Sequence, residues 1–392
     1  MLGLAEYYAS QENSPEAVQS ALIWYPVHPQ ALLEQARLMA EDDNAKAEEL
    51  LARAAWENPV DGRTFMALAQ IREQAEALES AKELAIVADR LAPMRSEVQL
   101  DAAIFRLRQG QVKEAFQQLS TVLDLRPGLR ADLYPLLLQL AENPDVRVAF
   151  TEFLKERSSW WEDFFRYAAT NAKELDTVRG IYRLNGHRPG VDEQSYYLAR
   201  LQREGRWLEM YLVWLNSLDP EQLSVLGNVY DGSFELKLDD SAGFGWRVQP
   251  ARGVNVETAS TYGVHGSRAL HLVFEGKRSR YRYIYQYLFL EPGRYRLSGL
   301  VKLDDLRTAR GVQWTVRCLS GDHALLGASN RYMGASDWQA FDSDFTVPPA
   351  ACPAQELRLE LAGEHASDFI AQGEVWFDNM AIKQISNEKF VD

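Results

Sequence analysis

Four tyrosines alternate with other residues in the segment 280–290, at positions 281, 283, 285 and 287. In an extended strand this spacing places them on one face, with Arg280, Arg282 and Gln286 on the opposite face. Aromatic rings stack on the apolar faces of sugar rings, and Arg or Gln side chains hydrogen-bond sugar hydroxyls. Four phenols in a row are also difficult to bury with every hydroxyl satisfied. The stripe is therefore either a binding surface for a saccharide or part of a core.

Neighbouring segments contain further side chains of the same chemistry. Trp314 and Arg317 fall in the predicted strand 312–319, and Tyr332 and Trp338 flank a predicted turn at Gly334. The side chains expected to bind an oligosaccharide or polysaccharide are Tyr281, Tyr283, Tyr285, Gln286, Trp314, Arg317 and Tyr332. Trp314 fits a core position equally well. The tryptophans expected to fill the core are Trp246, Trp338 and Trp376.

Motifs for catalysis are absent from the sequence. It contains no Gly-x-Gly-x-x-Gly, no Gly-x4-Gly-Lys-Ser/Thr and no Gly-x-Ser-x-Gly, and the six histidines have no zinc-binding spacing. The acidic pairs 239–240 and 304–305 could hydrolyse glycosides only if two carboxyls faced each other about 5 to 10 Å apart. We therefore expect no catalysis. A glycoside hydrolase or polysaccharide lyase built on the strand-rich part is the alternative.

Composition narrows the class of protein. The 392 residues are 46% hydrophobic and 25% charged, enough for two or three globular domains. The net charge is -14, so no basic surface for nucleic acid is expected. No apolar run of spanning length and no signal peptide occurs. Residues 1–10 nevertheless read as the middle of a helical hairpin, which would fit an export signal or membrane anchor outside the given chain.

The first half of the sequence repeats with a period of 33 or 34 residues. Prolines recur at 26, 59, 93 and 127, preceded five residues earlier by Ala21, Ala54, Ala88 and Val122, and followed ten residues later by Ala36, Ala69, Ala103 and Leu137. Small residues recur where helices approach closely, and proline recurs where one helix ends and the next begins. Gly110 is placed for the turn between two helices of one unit.

This pattern resembles the tetratricopeptide repeat over residues 14–140. The large residue expected early in each unit is Leu32 or Phe65 in two units but Gln99 in the third. The resemblance implies a right-handed solenoid of helical hairpins that holds a protein partner in its groove. Further helical segments extend the predicted solenoid domain to residues 1–222.

The second half changes to short strands with period two, separated by turn residues. Six segments occur in an informative order: 231–235, 245–246, 266–270, 292–299, 338–341 and 375–380. With Gly-x-Phe-Glu at the start, Pro-Gly-x-Tyr between and Phe-Asp at the end, they resemble the galactose-binding-like jelly roll of family 4 and 9 carbohydrate-binding modules. The resemblance implies an antiparallel β-sandwich over residues 226–388.

In such modules a structural calcium often lies where the first and last strands meet. On matching positions the resemblance implies Glu235 and Asp378 as carboxylate ligands, completed by backbone carbonyls. Alternatively, both carboxylates only hydrogen-bond the backbone at the strand ends. The two cysteines, Cys318 and Cys352, both fall in this half. A disulfide is expected in a domain of extracytoplasmic type, and a pair of buried thiols is the alternative.

The predicted fold is thus a helical, tetratricopeptide-like solenoid followed by a jelly-roll sandwich. The combination predicts a non-enzymatic adaptor that joins a protein partner to a polysaccharide. It resembles scaffold components of bacterial exopolysaccharide assembly or export, which implies a periplasmic or other extracytoplasmic location. A jelly roll that binds no sugar and only docks proteins is a further alternative.

Overall fold

The structure, a computed structural model, describes residues 2–9, 14–151, 158–184, 189–238, 242–263 and 266–385. The chain divides into two compact units, Met1–Pro189 and Gly190–Asp392. Among the described residues, the first unit is helical and the second contains the strands. The change from helices to antiparallel strands predicted from the sequence is confirmed.

The first unit consists of successive helices. In chain order they are α1 Leu2–Ala9, α2 Pro15–Trp24, α3 Pro29–Met39, α4 Asn44–Glu57, α5 Gly62–Gln74, α6 Leu78–Leu91, α7 Ser96–Arg108, α8 Val112–Leu125, α9 Arg130–Glu142, α10 Pro144–Arg147, α11 Trp161–Asn171 and α12 Leu175–Tyr182. Helices α3 and α4, α5 and α6, and α7 and α8 pack as consecutive pairs. The first helices of these pairs begin at residues 29, 62 and 96, which reproduces the sequence period. This succession of hairpins is consistent with a solenoid.

The repeated small residues are the contact points of these helices. Ala36, Ala69 and Ala103 on the first helices of the pairs have no exposed surface, and neither do Ala54 and Ala88 on the second helices. Larger side chains at these positions would force the helices apart, because packed interiors leave no spare volume. The sequence period therefore reflects the regular spacing of close contacts between helices.

The second unit begins with three helices: α13 Val191–Arg203, α14 Trp207–Leu215 and α15 Pro220–Ser224. Ten strands follow: β1 Arg247–Val248, β2 Val254–Ser260, β3 Arg268–Arg278, β4 Ile284–Leu288, β5 Gly293–Thr308, β6 Val312–Cys318, β7 Leu325–Ala328, β8 Gly334–Val347, β9 Gln355–Leu361 and β10 Ile370–Gln384. They form two antiparallel sheets of five strands. We call the sheet ordered β1-β4-β9-β6-β7 the front sheet and the sheet ordered β2-β3-β10-β5-β8 the back sheet.

The core of the sandwich lies between the inner faces of the two sheets. Alternation along β9 buries Leu357, Leu359 and Leu361 and turns Glu356, Arg358 and Glu360 outward. Phe377 of the back sheet packs against Trp314 of the front sheet, with ring centres 5.3 Å apart. Cys318 and Cys352 form a disulfide with Cα atoms 5.4 Å apart, so the predicted pairing is confirmed.

Helices α13 to α15 pack with the sandwich in the second unit. The Trp214 ring contacts the rings of Tyr230 and Phe244, at 5.2 and 5.5 Å between centres. Gly243 adopts a φ of +93°, and a Cβ there would lie 2.3 Å from the Trp214 ring, so this contact requires glycine. The two compact units divide at residues 189–190, and the change from helices to strands lies inside the second unit, while the predicted domain bounds 1–222 and 226–388 stay a prediction.

No helix in the described part of the chain has both the length and the apolar composition needed to cross a bilayer.

Candidate functional site

The tyrosine stripe is interrupted because β4 is shorter than the predicted strand. The Tyr281 amide donates to the Ser279 carbonyl at 2.7 Å, and the Tyr281 carbonyl accepts from Leu361. This local turn leaves the ladder, which begins only at Ile284. The Tyr281 side chain is 1% exposed, and burial raises its pKa. Tyr283 is half-buried and packs edge-on against Tyr281 at 5.8 Å.

The other two tyrosines lie on the outer face of the front sheet. Tyr285 is half-buried and pairs in register with Arg358 of β9. Tyr287 is buried: the Gln202 side chain of α13 donates to its hydroxyl at 3.0 Å, and Trp207 of α14 contacts its ring at 5.9 Å. Burial raises the pKa of Tyr287. The helices of the second unit therefore occupy the Tyr287 end of this face and leave the Tyr285 end open.

Four of the predicted sugar-binding side chains are interior. Tyr281, Gln286, Trp314 and Tyr332 are 1%, 1%, 0% and 6% exposed, respectively. Trp314 packs between the sheets, and burial raises the pKa of Tyr332 to about 12. The expectation that these four contact a glycan is corrected, because none of them presents a face to solvent. Of the tryptophans expected in the core, Trp246 is there, whereas Trp338 and Trp376 are half-exposed.

Gln286 has a specific interior role. Its side-chain oxygen accepts from the Tyr230 amide at 2.8 Å, and its side-chain nitrogen donates to the Tyr230 carbonyl at 2.9 Å. The glutamine thus substitutes for a backbone partner where the chain enters the sandwich. Buried polar groups of the main chain require such partners.

Arg317 lines a cleft of about 340 Å³ on the outer face of the front sheet. We call this the arginine cleft, because six of its lining residues are Arg280, Arg282, Arg310, Arg317, Arg331 and Arg358. Gln313 of β6, Glu360 of β9 and the Phe369 ring also contribute to its walls. The cleft brings together two strands of the sheet and four connecting segments.

Three of the arginines are paired with carboxylates. Arg317 contacts Glu360 at 3.3 Å, and Arg358 contacts Glu356 at 3.0 Å. Arg310 contacts Glu364 at 2.9 Å and Asp368 at 3.1 Å. Burial raises the pKa of Glu356, against the opposing effect of Arg358. The Nε atoms of Arg317 and Arg358 are buried and make no hydrogen bond within the described residues.

The other three arginines, Arg280, Arg282 and Arg331, have no carboxylate within 4.0 Å among the residues that the structure describes. The Arg280 guanidinium lies 5.3 Å from the centre of the Phe369 ring, and Arg331 donates to Gln313 at 3.3 Å. Arg282 is exposed. The cleft therefore contains guanidinium donors that no internal acceptor satisfies.

Of the two residues expected to bind calcium, Glu235 is held by hydrogen bonds from the start of β3 and Asp378 is buried. Glu235 accepts hydrogen bonds from the Ser267 and Arg268 amides at 2.8 and 3.0 Å and from the Ser267 hydroxyl at 3.0 Å. Partial burial raises the pKa of Glu235, but these hydrogen bonds outweigh it and lower the pKa. Asp378 is buried in β10. In the described part of the chain no group of three or more His, Cys, Asp or Glu could hold a metal ion. These contacts fit the alternative in which Glu235 anchors the backbone, and calcium stays a prediction.

The acidic pair 304–305, considered for hydrolysis, does not line the cleft. Asp304 and Asp305 lie on β5 of the back sheet, where Asp305 pairs with Arg307. Asp239 and Asp240 lie outside the described residues.

Sequence reasoning missed most of the cleft. The alternation in 355–361 could have placed Glu356, Arg358 and Glu360 on one face. The arginines at 280, 282, 310 and 331 lie in connections, where no local pattern predicts their proximity.

Comparison with known proteins gave structural similarities only. No protein-family model and no curated protein matches the chain. A solved CBM4 domain is 18% identical, covering 40% of this chain and 99% of that chain at a TM-score of 0.30. The CBM22-1 xylan-binding domain of Paenibacillus barcinonensis Xyn10C is 18% identical, covering 40% of this chain and 92% of that chain at a TM-score of 0.27. Because both TM-scores lie below 0.5, these similarities carry no functional assignment.

Proposed function

We propose that the sandwich unit binds an oligosaccharide or polysaccharide on the outer face of the front sheet, without catalysing a reaction. The observation that carries this proposal is the arginine cleft beside Tyr285. Tyr285, an accessible aromatic residue, is paired in register with Arg358 of the cleft, and the exposed guanidiniums of Arg280, Arg282 and Arg331 line the cleft without a carboxylate partner among the described residues. The cleft volume of about 340 Å³ lies within the range of small-ligand sites.

The register of the front sheet supports this arrangement. Tyr285 of β4, Arg358 of β9 and Thr315 of β6 are paired across three adjacent strands. Adjacent strands lie about 4.8 Å apart, so the row extends over about 10 Å. A saccharide lying along this row would contact the Tyr285 ring and hydrogen-bond the guanidiniums beside it.

The carboxylates near the cleft support binding rather than catalysis. Glu360 contacts both Arg317 and Arg358, and Glu356 contacts Arg358. Glycoside hydrolysis needs two carboxyls that flank the scissile bond from opposite sides, whereas Glu356 and Glu360 lie on the same face of one strand and contact arginines. We infer that these glutamates position the arginines.

For the helical unit we propose the scaffold role. The hairpin pairs beginning at 29, 62 and 96 support a tetratricopeptide-like arrangement that holds a protein segment. The disulfide Cys318–Cys352 supports an oxidising, extracytoplasmic location. Together these features favour an adaptor in exopolysaccharide assembly or export over a sandwich that only docks proteins.

The test is a calorimetric titration of the full chain with a panel of oligosaccharides, with analysis for products. We expect saturable binding without products, weakened two- to about tenfold by Tyr285→Ala, since an aromatic contact contributes about 0.5 to 1.5 kcal/mol. Tyr262→Ala is the matched control, because Tyr262 is 96% exposed and lies after β2 of the back sheet. Turnover would favour the enzyme, and binding unaffected by Tyr285→Ala would place the site elsewhere.

A further inference from the structure

The arginine cleft has a charge opposite to that of the chain. The chain carries a net charge of -14, yet six arginines line this one cleft. Four carboxylates, Glu356, Glu360, Glu364 and Asp368, contact Arg310, Arg317 and Arg358. The remaining three guanidiniums have no counter-charge among the described residues, so the cleft is locally positive.

The uncompensated charges come from two parts of the fold. Arg280 and Arg282 lie in the connection between β3 and β4, and Arg331 lies in the connection between β7 and β8. Their side chains line the same cavity. Like charges gathered in one cleft repel each other, and salt screens this repulsion only in part where water is restricted. A negatively charged ligand would relieve the repulsion.

The geometry of the guanidinium donors restricts the class of ligand that fits the cleft. A planar guanidinium presents parallel N–H donors that match two oxygens of a carboxylate or a sulfate. Gln313 is the single carboxamide among the residues lining the cleft. Six arginines against four carboxylates leave the cleft an excess of two positive charges, which an acidic sugar would neutralise and a neutral sugar would not.

We propose that the arginine cleft selects glycans that carry negatively charged groups, either uronate carboxylates or sulfate esters. Arg282 and Arg331, both exposed and lining the cleft, bind the anionic group, and Arg280 lies beside them on the same cleft. This inference rests on the proposed glycan binding and adds the class of glycan.

The experiment compares each acidic probe with its neutral counterpart on the full chain. Oligogalacturonate is paired with the same oligomer after reduction of its carboxyls, and a chondroitin sulfate oligosaccharide is paired with its desulfated form. We expect at least one acidic probe to bind about tenfold or more tightly than its counterpart at ~0.05 M salt. The preference should shrink at about 0.5 M salt, because the interaction is screened. The pair that shows the preference identifies the anionic group.

Charge-removing variants locate the effect. Arg282→Gln and Arg331→Gln should each weaken binding of the acidic probe about three- to tenfold, and by a larger factor than they weaken binding of the neutral probe. Arg252→Gln is the matched control, because Arg252 is exposed in the turn before β2 and does not line the cleft. Neither Arg282 nor Arg331 contacts a carboxylate, so both variants should keep the melting temperature of the wild type.

Each remaining outcome is decisive. Equal affinity for acidic and neutral probes would overturn the charge selectivity and leave glycan binding intact. Binding of the acidic probe that the two variants do not change would also overturn it, because the anion would bind elsewhere. No binding by any probe would overturn the proposed function together with this inference.

Discussion

Replacing Gln286 with leucine tests whether this side chain stabilises the interior of the sandwich or binds the glycan. In the structure this side chain is 1% exposed and makes two hydrogen bonds with the backbone of Tyr230, at 2.8 and 2.9 Å. Gln286→Leu removes both and places a branched apolar side chain in the same space. The sandwich should become less stable, while the outer face of the front sheet keeps its residues.

The magnitude follows from the contacts. Each buried backbone group that loses its partner costs about 1 to 3 kcal/mol, so two cost about 2 to 6 kcal/mol. Burial of the leucine offsets about 1 to 2 kcal/mol of this. The net loss lies between about 0 and 5 kcal/mol, and its midpoint of about 2.5 kcal/mol lowers the melting temperature of a unit of this size by roughly 5 to 10 °C.

The assay is urea unfolding and calorimetric melting of the full chain. Gln339→Leu serves as the control, because Gln339 is exposed on β8 and its loss should change stability by less than about 0.5 kcal/mol. The reasoning is refuted if Gln286→Leu melts like the wild type and loses only glycan binding.

Three further outcomes follow from the sandwich. Glu235→Gln should destabilise it by about 1 kcal/mol at pH 7. The lowered pKa of Glu235 gives stability that is present above the unfolded pKa and is lost as the pH falls through the folded pKa, so the difference in urea unfolding between variant and wild type should shrink as the pH is lowered; a difference independent of pH would contradict this. Cys318→Ser combined with Cys352→Ser should cost about 3 to 4 kcal/mol, because the disulfide closes a loop with a sequence separation of 34; an unchanged urea midpoint would oppose this. A melting temperature lowered by a chelator and restored by calcium would support calcium at Glu235 and Asp378, and an unchanged one would remove it.

The sequence predicted those features that depend on local period. Alanine and proline spacing predicted the helical hairpins because close helix contacts recur once in each unit. Period-two segments predicted the sandwich, and the two cysteines predicted the disulfide. Each of these signals lies within one secondary-structure element or in the composition, so it can be recognised without knowledge of the tertiary structure.

The site depended on information that local patterns lack. Period two separates two faces of a strand but does not say which face is inward, so it left Trp314 open between core and binding surface and did not show that Gln286 is interior. Helices at 191–224 resemble another repeat unit, and nothing local indicates that they pack with the sandwich and bury Tyr287. The arginines from separate connections meet only after the sheet has formed.

The most direct test of glycan binding on the front sheet is a crystal structure of the full chain with the oligosaccharide that binds it most tightly. We expect an intact sugar chain beside Tyr285 and Arg358, with its polar groups directed into the arginine cleft. Density for the sugar on the back sheet beside Trp376, with the arginine cleft free of sugar, would contradict it.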